Sequence, residues 1–99
     1  MIRIKAWDED NMHCLKMEGH AGYDEPGKDV VCAAVSILMY TLRARQQELH
    51  DKPFTCNMSE SGYVLMKVSD RMIEPYKTVL SGLKLLSKEY PANVVFTRD

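Results

Sequence analysis

No stretch of the sequence is apolar for the roughly 20 residues that a membrane-spanning helix needs. The opening Met1-Ile2-Arg3-Ile4-Lys5 alternates where a secretion signal would be continuously apolar. A cytoplasmic protein that meets no membrane is expected. Charge of one sign is also missing: 13 basic residues stand against 14 acidic ones, a net charge of -1, with no polybasic block. Such a balance offers no electrostatic footprint for direct nucleic-acid binding. Paired cysteines are lacking too. Cys14, Cys32 and Cys56 are odd in number and widely spaced, which in a reducing compartment points to free thiols rather than a disulfide framework.

What is present suits one globular domain over residues 1–99, with 45% hydrophobic and 27% charged residues. Ile2, Ile4 and Ala6 alternate with Arg3 and Lys5 as a first strand. Asp8-Glu9-Asp10-Asn11 reads as a turn, and residues 12–18 as a second strand completing a hairpin. Residues 19–28 hold three of the five glycines and one of the four prolines, and are expected to form a mobile loop. Asp29 is a good N-cap for a helix that is apolar on nearly every face from Val30 to Tyr40, buried at its start and emerging into solvent at Arg43-Ala44-Arg45. Phe54, Cys56 and Met58 alternate as a third strand, and residues 63–68 form a fourth. Met72, Tyr76, Val79, Leu80, Leu83, Leu86 and Tyr90 recur three or four apart as a second helix over 70–90, with Pro75 near its first turn and Pro91 at its end. Residues 93–97 make a last strand. The expected fold is α+β, a mostly antiparallel sheet with two helices in the order ββαββαβ.

Cys32 with His20 is the pair with the most chemistry. With Asp29 as cap, Cys32 is the third helical residue, where unpaired amides and the positive end of the helix dipole favour an anion. A thiol so placed, beside an imidazolium, is converted to the nucleophilic thiolate. The amides of Cys32 and its neighbours are candidates to hold the oxyanion of an acyl-transfer intermediate. Cys32 also reads as a small core residue on an apolar helix, and His20 as a solvated loop histidine. Gly19 and Gly22, flanking His20, let the backbone approach a ligand closely.

Gly19-His20-Ala21-Gly22-Tyr23, followed by Gly27-Lys28-Asp29-Val30-Val31-Cys32-Ala33-Ala34-Val35-Ser36, resembles the two linked motifs of the ribosomal-processing cysteine protease family, Prp. The resemblance runs along essentially the whole chain, including Glu89-Tyr90-Pro91 before the last strand. It implies a homodimeric endopeptidase that removes an N-terminal extension from a large-subunit ribosomal protein, so its partner is a protein substrate. The nucleophile falls on Cys32 and the base on His20. Gly19, Gly22, Tyr23, Gly27, Asp29 and Ser36 match supporting or substrate-binding positions, and the loop between the motifs is expected to order around substrate. Residues 40–52 are more charged than the family pattern, and His13, Cys14, His50 and Cys56 belong to no motif of it. The alternatives are a phage-borne or paralogous protease cutting another precursor, a non-catalytic peptide-binding module, and a thiol redox sensor in which Cys14 or Cys56 resolves Cys32. His13, Cys14, His20 and Cys32 lack paired metal-ligand spacing, so neither a metal nor another cofactor is expected. Asp29 is expected to act first as a cap and second as an orienter of His20, and Ser36 to bond back to a helix carbonyl.

Overall fold

The structure is a computed structural model that describes residues 1–22, 24, 29–51 and 62–99, and the backbone of 55–57. Strands β1 (Ile2–Glu9) and β2 (Met12–Gly19) form a hairpin. Its two-residue turn is Asp10 and Asn11, with φ of 49° and 64°, the positive values that a tight hairpin turn of this twist demands. β1 runs three residues further than the alternation at Ile2, Ile4 and Ala6 predicts. Acidic residues are poor strand formers, but here they find partners: Asp8 stands opposite His13 and bonds its Nδ1 at 2.8 Å, and Glu9 takes Lys67 Nζ at 2.7 Å.

Helix α1 (Val30–Glu48) follows, then β3 (Thr55–Asn57), β4 (Tyr63–Ser69), a single 3-10 turn over Asp70–Met72, helix α2 (Ile73–Glu89) and β5 (Val94–Arg98). The order is the expected ββαββαβ. The predicted third-strand residues Phe54 and Met58 lie outside the described residues. In the five-stranded sheet the spatial order is β3-β4-β2-β1-β5. Neighbours are antiparallel except β5, which runs parallel to β1. The exception follows from connectivity: β4 already runs with β1, and a helical crossover returns the chain so that the next strand keeps that direction.

One face of the sheet is the floor of the core. Ile2, Ile4 and Ala6 of β1, Leu15 and Met17 of β2, Val64, Met66 and Val68 of β4, and Val94 of β5 point to it. Val31, Val35, Met39 and Leu42 of α1 and Tyr76, Val79, Leu80 and Leu83 of α2 cover it. The helices meet closely at Gly82, where a Cβ would sit 3.0 Å from Leu38 Cδ1. The other face carries charge, including Lys16–Glu18 at 3.6 Å and Lys5–Asp99 at 3.0 Å.

Helix α1 differs from the sequence expectation at both ends. Its start is not buried all round: Val30 and Ile37 are 60% and 61% exposed, because a two-layer fold offers α1 only the sheet and α2 to bury against. Its charged end does not simply emerge into solvent. Gln46 is fully buried, its Nε2 donating to Lys67 O at 2.9 Å and to Asp51 Oδ2 at 3.2 Å, while buried Asp51 also accepts from Ser69 N at 2.9 Å and from the Ser69 hydroxyl. Burial disfavours the Asp51 carboxylate, yet these donors from Ser69 and Gln46 outweigh it and hold the group below its ordinary value.

Candidate active site

β2 ends at Gly19 with φ +95°, and a Cβ there would lie 2.3 Å from Met1 O. Only glycine lets the two strand ends pass so closely, and the next residue is His20. Residues 19–21 at the start of the expected mobile loop are held by main-chain and side-chain bonds; residues 23 and 25–28 of that loop lie outside the described residues. Gly19 N donates to Gly62 O at 2.8 Å, the Met1 amine donates to His20 O, and Asn93 Nδ2 donates to Ala21 O at 2.9 Å. Ala21 is 2% exposed, so the chain after His20 is rooted in the core while the imidazole stays at the surface. Gly22 has φ +68° and open space where a side chain would be. Tyr23 and Gly27 lie outside the described residues.

Helix α1 starts as the sequence predicts. Asp29 has extended backbone (φ -77°, ψ 98°), and its Oδ1 accepts from Cys32 N at 2.9 Å. Asp29 O accepts from Ala33 N at 3.1 Å. This corrects the expected oxyanion donors: the amides of Cys32 and Ala33 are spent on the cap, which leaves those of Val30 and Val31 as the first-turn donors that the cap does not use. Ser36, one turn beyond Cys32, is half-buried. Among the described residues of α1, the back-bond expected of it is made by Thr41, whose Oγ1 donates to Ile37 O at 2.6 Å.

The direction of α1 fixes where its start lies. Asp51, just beyond its end, bonds Ser69, and Ser69 pairs with Met12 at the first residue of β2. Nineteen helical residues span about 28 Å, and eight strand residues about 26 Å. The helix therefore ends near the start of β2 and runs back toward the end of β2 that carries Gly19 and His20. On α1, Leu38 faces α2 through Gly82, whereas Cys32 and Ser36 fall on the opposite flank, toward β4. Cys32 is a free, half-buried thiol at the margin of the core.

The other thiol described in full is different in kind. Cys14 is fully buried, on the face of the sheet away from α1, in register with Trp7 and Lys67. Burial and the neighbouring Glu9 carboxylate push its thiol up to about 11. A Cys14–Cys32 disulfide would have to cross the sheet, so the redox-sensor alternative finds no support there; Cys56 lies in β3, opposite Met66. The sequence grouping of His13 and Cys14 with His20 and Cys32 also comes apart. His13 sits at the hairpin end, its Nδ1 2.8 Å from Asp8 Oδ1 and its Nε2 2.9 Å from Asp70 Oδ1. Burial alone would push this imidazole down, but the bonds to Asp70 and Asp8 prevail and raise it. A cleft lined by Asp8, Glu9, Asp10, Met12, His13 and Asp70 lies at this end, a strand length from His20. Sequence spacing gave no sign of the His13 bridge, because Asp70 is 57 residues away.

The comparisons with known proteins agree with one another. The family model of cysteine protease Prp matches residues 1–95. Among solved structures, the essential ribosomal processing protease Prp of S. aureus with a covalently linked product peptide is 23% identical, with a TM-score of 0.88 and 100% of each chain covered. The same protease with a substrate peptide is 22% identical, with a TM-score of 0.82 and 100% of each chain covered. SMU.848 from Streptococcus mutans is 25% identical, with a TM-score of 0.78, covering 99% of this chain and 93% of that one. A search of curated proteins finds no match.

Proposed function

The chain belongs to the cysteine protease Prp family, and from that premise we propose that it is a ribosomal-processing endopeptidase which removes the N-terminal extension of a large-subunit ribosomal protein precursor. Cys32 is the nucleophile and His20 its base. What supports this reading is a capped helix start bearing a free thiol and an anchored segment bearing an exposed imidazole, both toward the end of the sheet where β2 finishes. The S. aureus protease, captured with a product peptide covalently linked, has the same fold.

In the proposed reaction the Cys32 thiolate adds to the scissile carbonyl, forming a carbon–sulfur bond, and the amides of Val30 and Val31 receive the oxyanion. Protonated His20 gives its proton to the departing amine as the carbon–nitrogen bond breaks. Neutral His20 then takes a proton from water, which displaces the thiolate and releases the acid. Asp29 holds the helix start, Gly19 and Gly22 shape the backbone around His20, and Ser36 lies on the Cys32 flank of α1. Tyr23 and Gly27 match the family motif and complete the proposed binding loop. Among the described residues no helix is long and apolar enough to cross a membrane. We place the protein in the cytoplasm, where ribosomes are assembled.

A homodimer is part of the same reading. Val30, Ile37 and Tyr40 are 60%, 61% and 45% exposed on one face of α1, with Ala33 and Ala44 between and beyond them. A second copy laid against this stripe would take it out of water, at about 25 cal/mol per Å² of apolar surface removed. Mass spectrometry of the precursor after incubation with the protein tests the function. A single new N-terminus inside the extension is expected, and an uncut precursor at high enzyme concentration would exclude this substrate.

A further inference from the structure

His20 is exposed, and among the described residues no side chain hydrogen-bonds its ring. A base must nevertheless be delivered at a set distance and angle, since a misplacement of about 1 Å can cost on the order of a hundredfold in rate. The described residues give it two supports, the backbone beneath it and the residue its ring rests against. The ring rests on Gly62, at the start of β4. A Cβ at Gly62 would lie 2.9 Å from His20 Nε2 and 3.1 Å from Cε1, and 3.2 Å from Gly19 O. Gly62 also has φ +79° and accepts the Gly19 N–H at 2.8 Å, so the same residue fixes the strand end and supports the ring.

On the other side of His20, Asn93 holds the backbone. Its Nδ2 donates to Ala21 O at 2.9 Å. Asn93 is itself fixed by main-chain bonds, its N–H donating to Tyr90 O at 2.9 Å and its carbonyl accepting from Ile2 N at 2.8 Å. The linkage joins the chain ahead of β5, the start of β1 and the residue after His20 in one rigid unit.

We propose that Gly62 and Asn93 are positioning residues for the His20 base: the bare α-carbon of Gly62 seats the imidazole, and the Asn93 side chain sets the backbone that carries it. The proposal rests on His20 being the base. The role is that which a polar side chain plays when it orients the histidine of a catalytic triad.

The test compares variants on a precursor peptide, with rates expressed per active site by titrating Cys32. Gly62→Ala brings a methyl group onto the ring and also strains a positive φ, so it is paired with D-alanine at position 62, introduced by chemical ligation at Cys56. D-alanine accepts the positive φ and turns its methyl away from His20. Asn93→Asp keeps size and shape but removes the donor to Ala21 O. Gly62→Ala is expected to lower kcat about tenfold or more with little change in KM, while D-alanine retains the parental kcat. Asn93→Asp is expected to lower kcat several-fold and to displace the pH profile of kcat/KM, which a loss of folded protein alone would not do.

Equal kcat for the L- and D-alanine proteins would overturn the seat. Asn93→Asp with a parental kcat and pH profile would overturn the tether, and it carries the test should Gly62→Ala fail to fold. His20→Ala distinguishes failure of the proposal from failure of its premise. An inactive His20→Ala beside fully active Gly62→Ala and Asn93→Asp overturns the positioning roles alone. A His20→Ala protein as active as the parent overturns the assignment of the base, and the positioning roles with it.

Discussion

Replacing Asp29 separates two roles that a carboxylate at this position can play. Its Oδ1 accepts from Cys32 N at 2.9 Å, so the cap bond ends on the backbone of the proposed nucleophile itself. Asp29→Ala removes the acceptor, which at an N-cap costs about 0.5–2 kcal/mol. For a domain of this size each kcal/mol moves the melting temperature by roughly 4–8 °C. Asp29→Asn keeps an oxygen in place and forfeits the attraction of charge to the helix dipole, about 0.3–1 kcal/mol. With an ordinary total stability of about 5–15 kcal/mol, both variants remain folded at 25 °C. Any fall in cleavage rate then reports on the site and not on the amount of folded protein. Thermal unfolding followed by circular dichroism, with kcat/KM on a precursor peptide, is the assay. The order expected for both quantities is parent, then Asn, then Ala, with Asn close to the parent in kcat/KM. If Asp29→Asn melts with the parent yet cleaves as poorly as Asp29→Ala, the carboxylate acts on the chemistry, and the cap is not its main role.

Three further outcomes follow from groups away from the site. The raised His13 imidazole gives a bridge whose contribution is complete below its unfolded value, near 6.5, and is lost as pH rises through the folded value; the lowered Asp8 gives the mirror loss in acid. His13→Ala should therefore lower stability by about 1–2 kcal/mol at pH 6, a figure reduced for the exposure of both carboxylates, and by clearly less at pH 9 in urea titrations; equal losses would rule the bridge out. Gln46→Leu removes a donor from buried Asp51 and from Lys67 O, and should cost about 1–3 kcal/mol in urea unfolding, a near-neutral result counting against the network. Iodoacetamide should label Cys32 in the native protein well before Cys14, which is fully buried and whose thiol is pushed up to about 11; peptide mapping with Cys14 labelled first would reverse that ranking.

Periodicity made the element order readable, because each element has one clear apolar pattern: Ile2, Ile4 and Ala6 in β1, and Tyr76, Val79, Leu80 and Leu83 in α2. The Asp29 cap was readable for the same local reason. What pattern could not convey was partnership across the chain. Asp8 and Glu9 look like turn residues until His13 and Lys67 are set opposite them. Gln46 reads as a solvated residue until Asp51 and Lys67 O surround it. Val30 and Ile37 look like core until only one side of α1 is found to have a partner. Around the candidate site, Cys32 and His20 were legible as motif residues, whereas Gly62 and Asn93 were not: they are 42 and 73 positions from His20 and carry no reactive group of their own. The cap bond that withdraws the Cys32 amide from oxyanion duty is likewise a matter of geometry, not of residue type.

The central claim is that Cys32 and His20 act as one catalytic unit, and the double-mutant cycle on precursor-peptide cleavage tests it most directly. Residues that share a step are non-additive, since either loss leaves the other without its role. Cys32→Ala should abolish measurable cleavage, His20→Ala should reduce it by a large factor, and the double variant should be no slower than Cys32→Ala. Cleavage at the parental rate by Cys32→Ala, or losses that multiply in the double variant, would contradict the account.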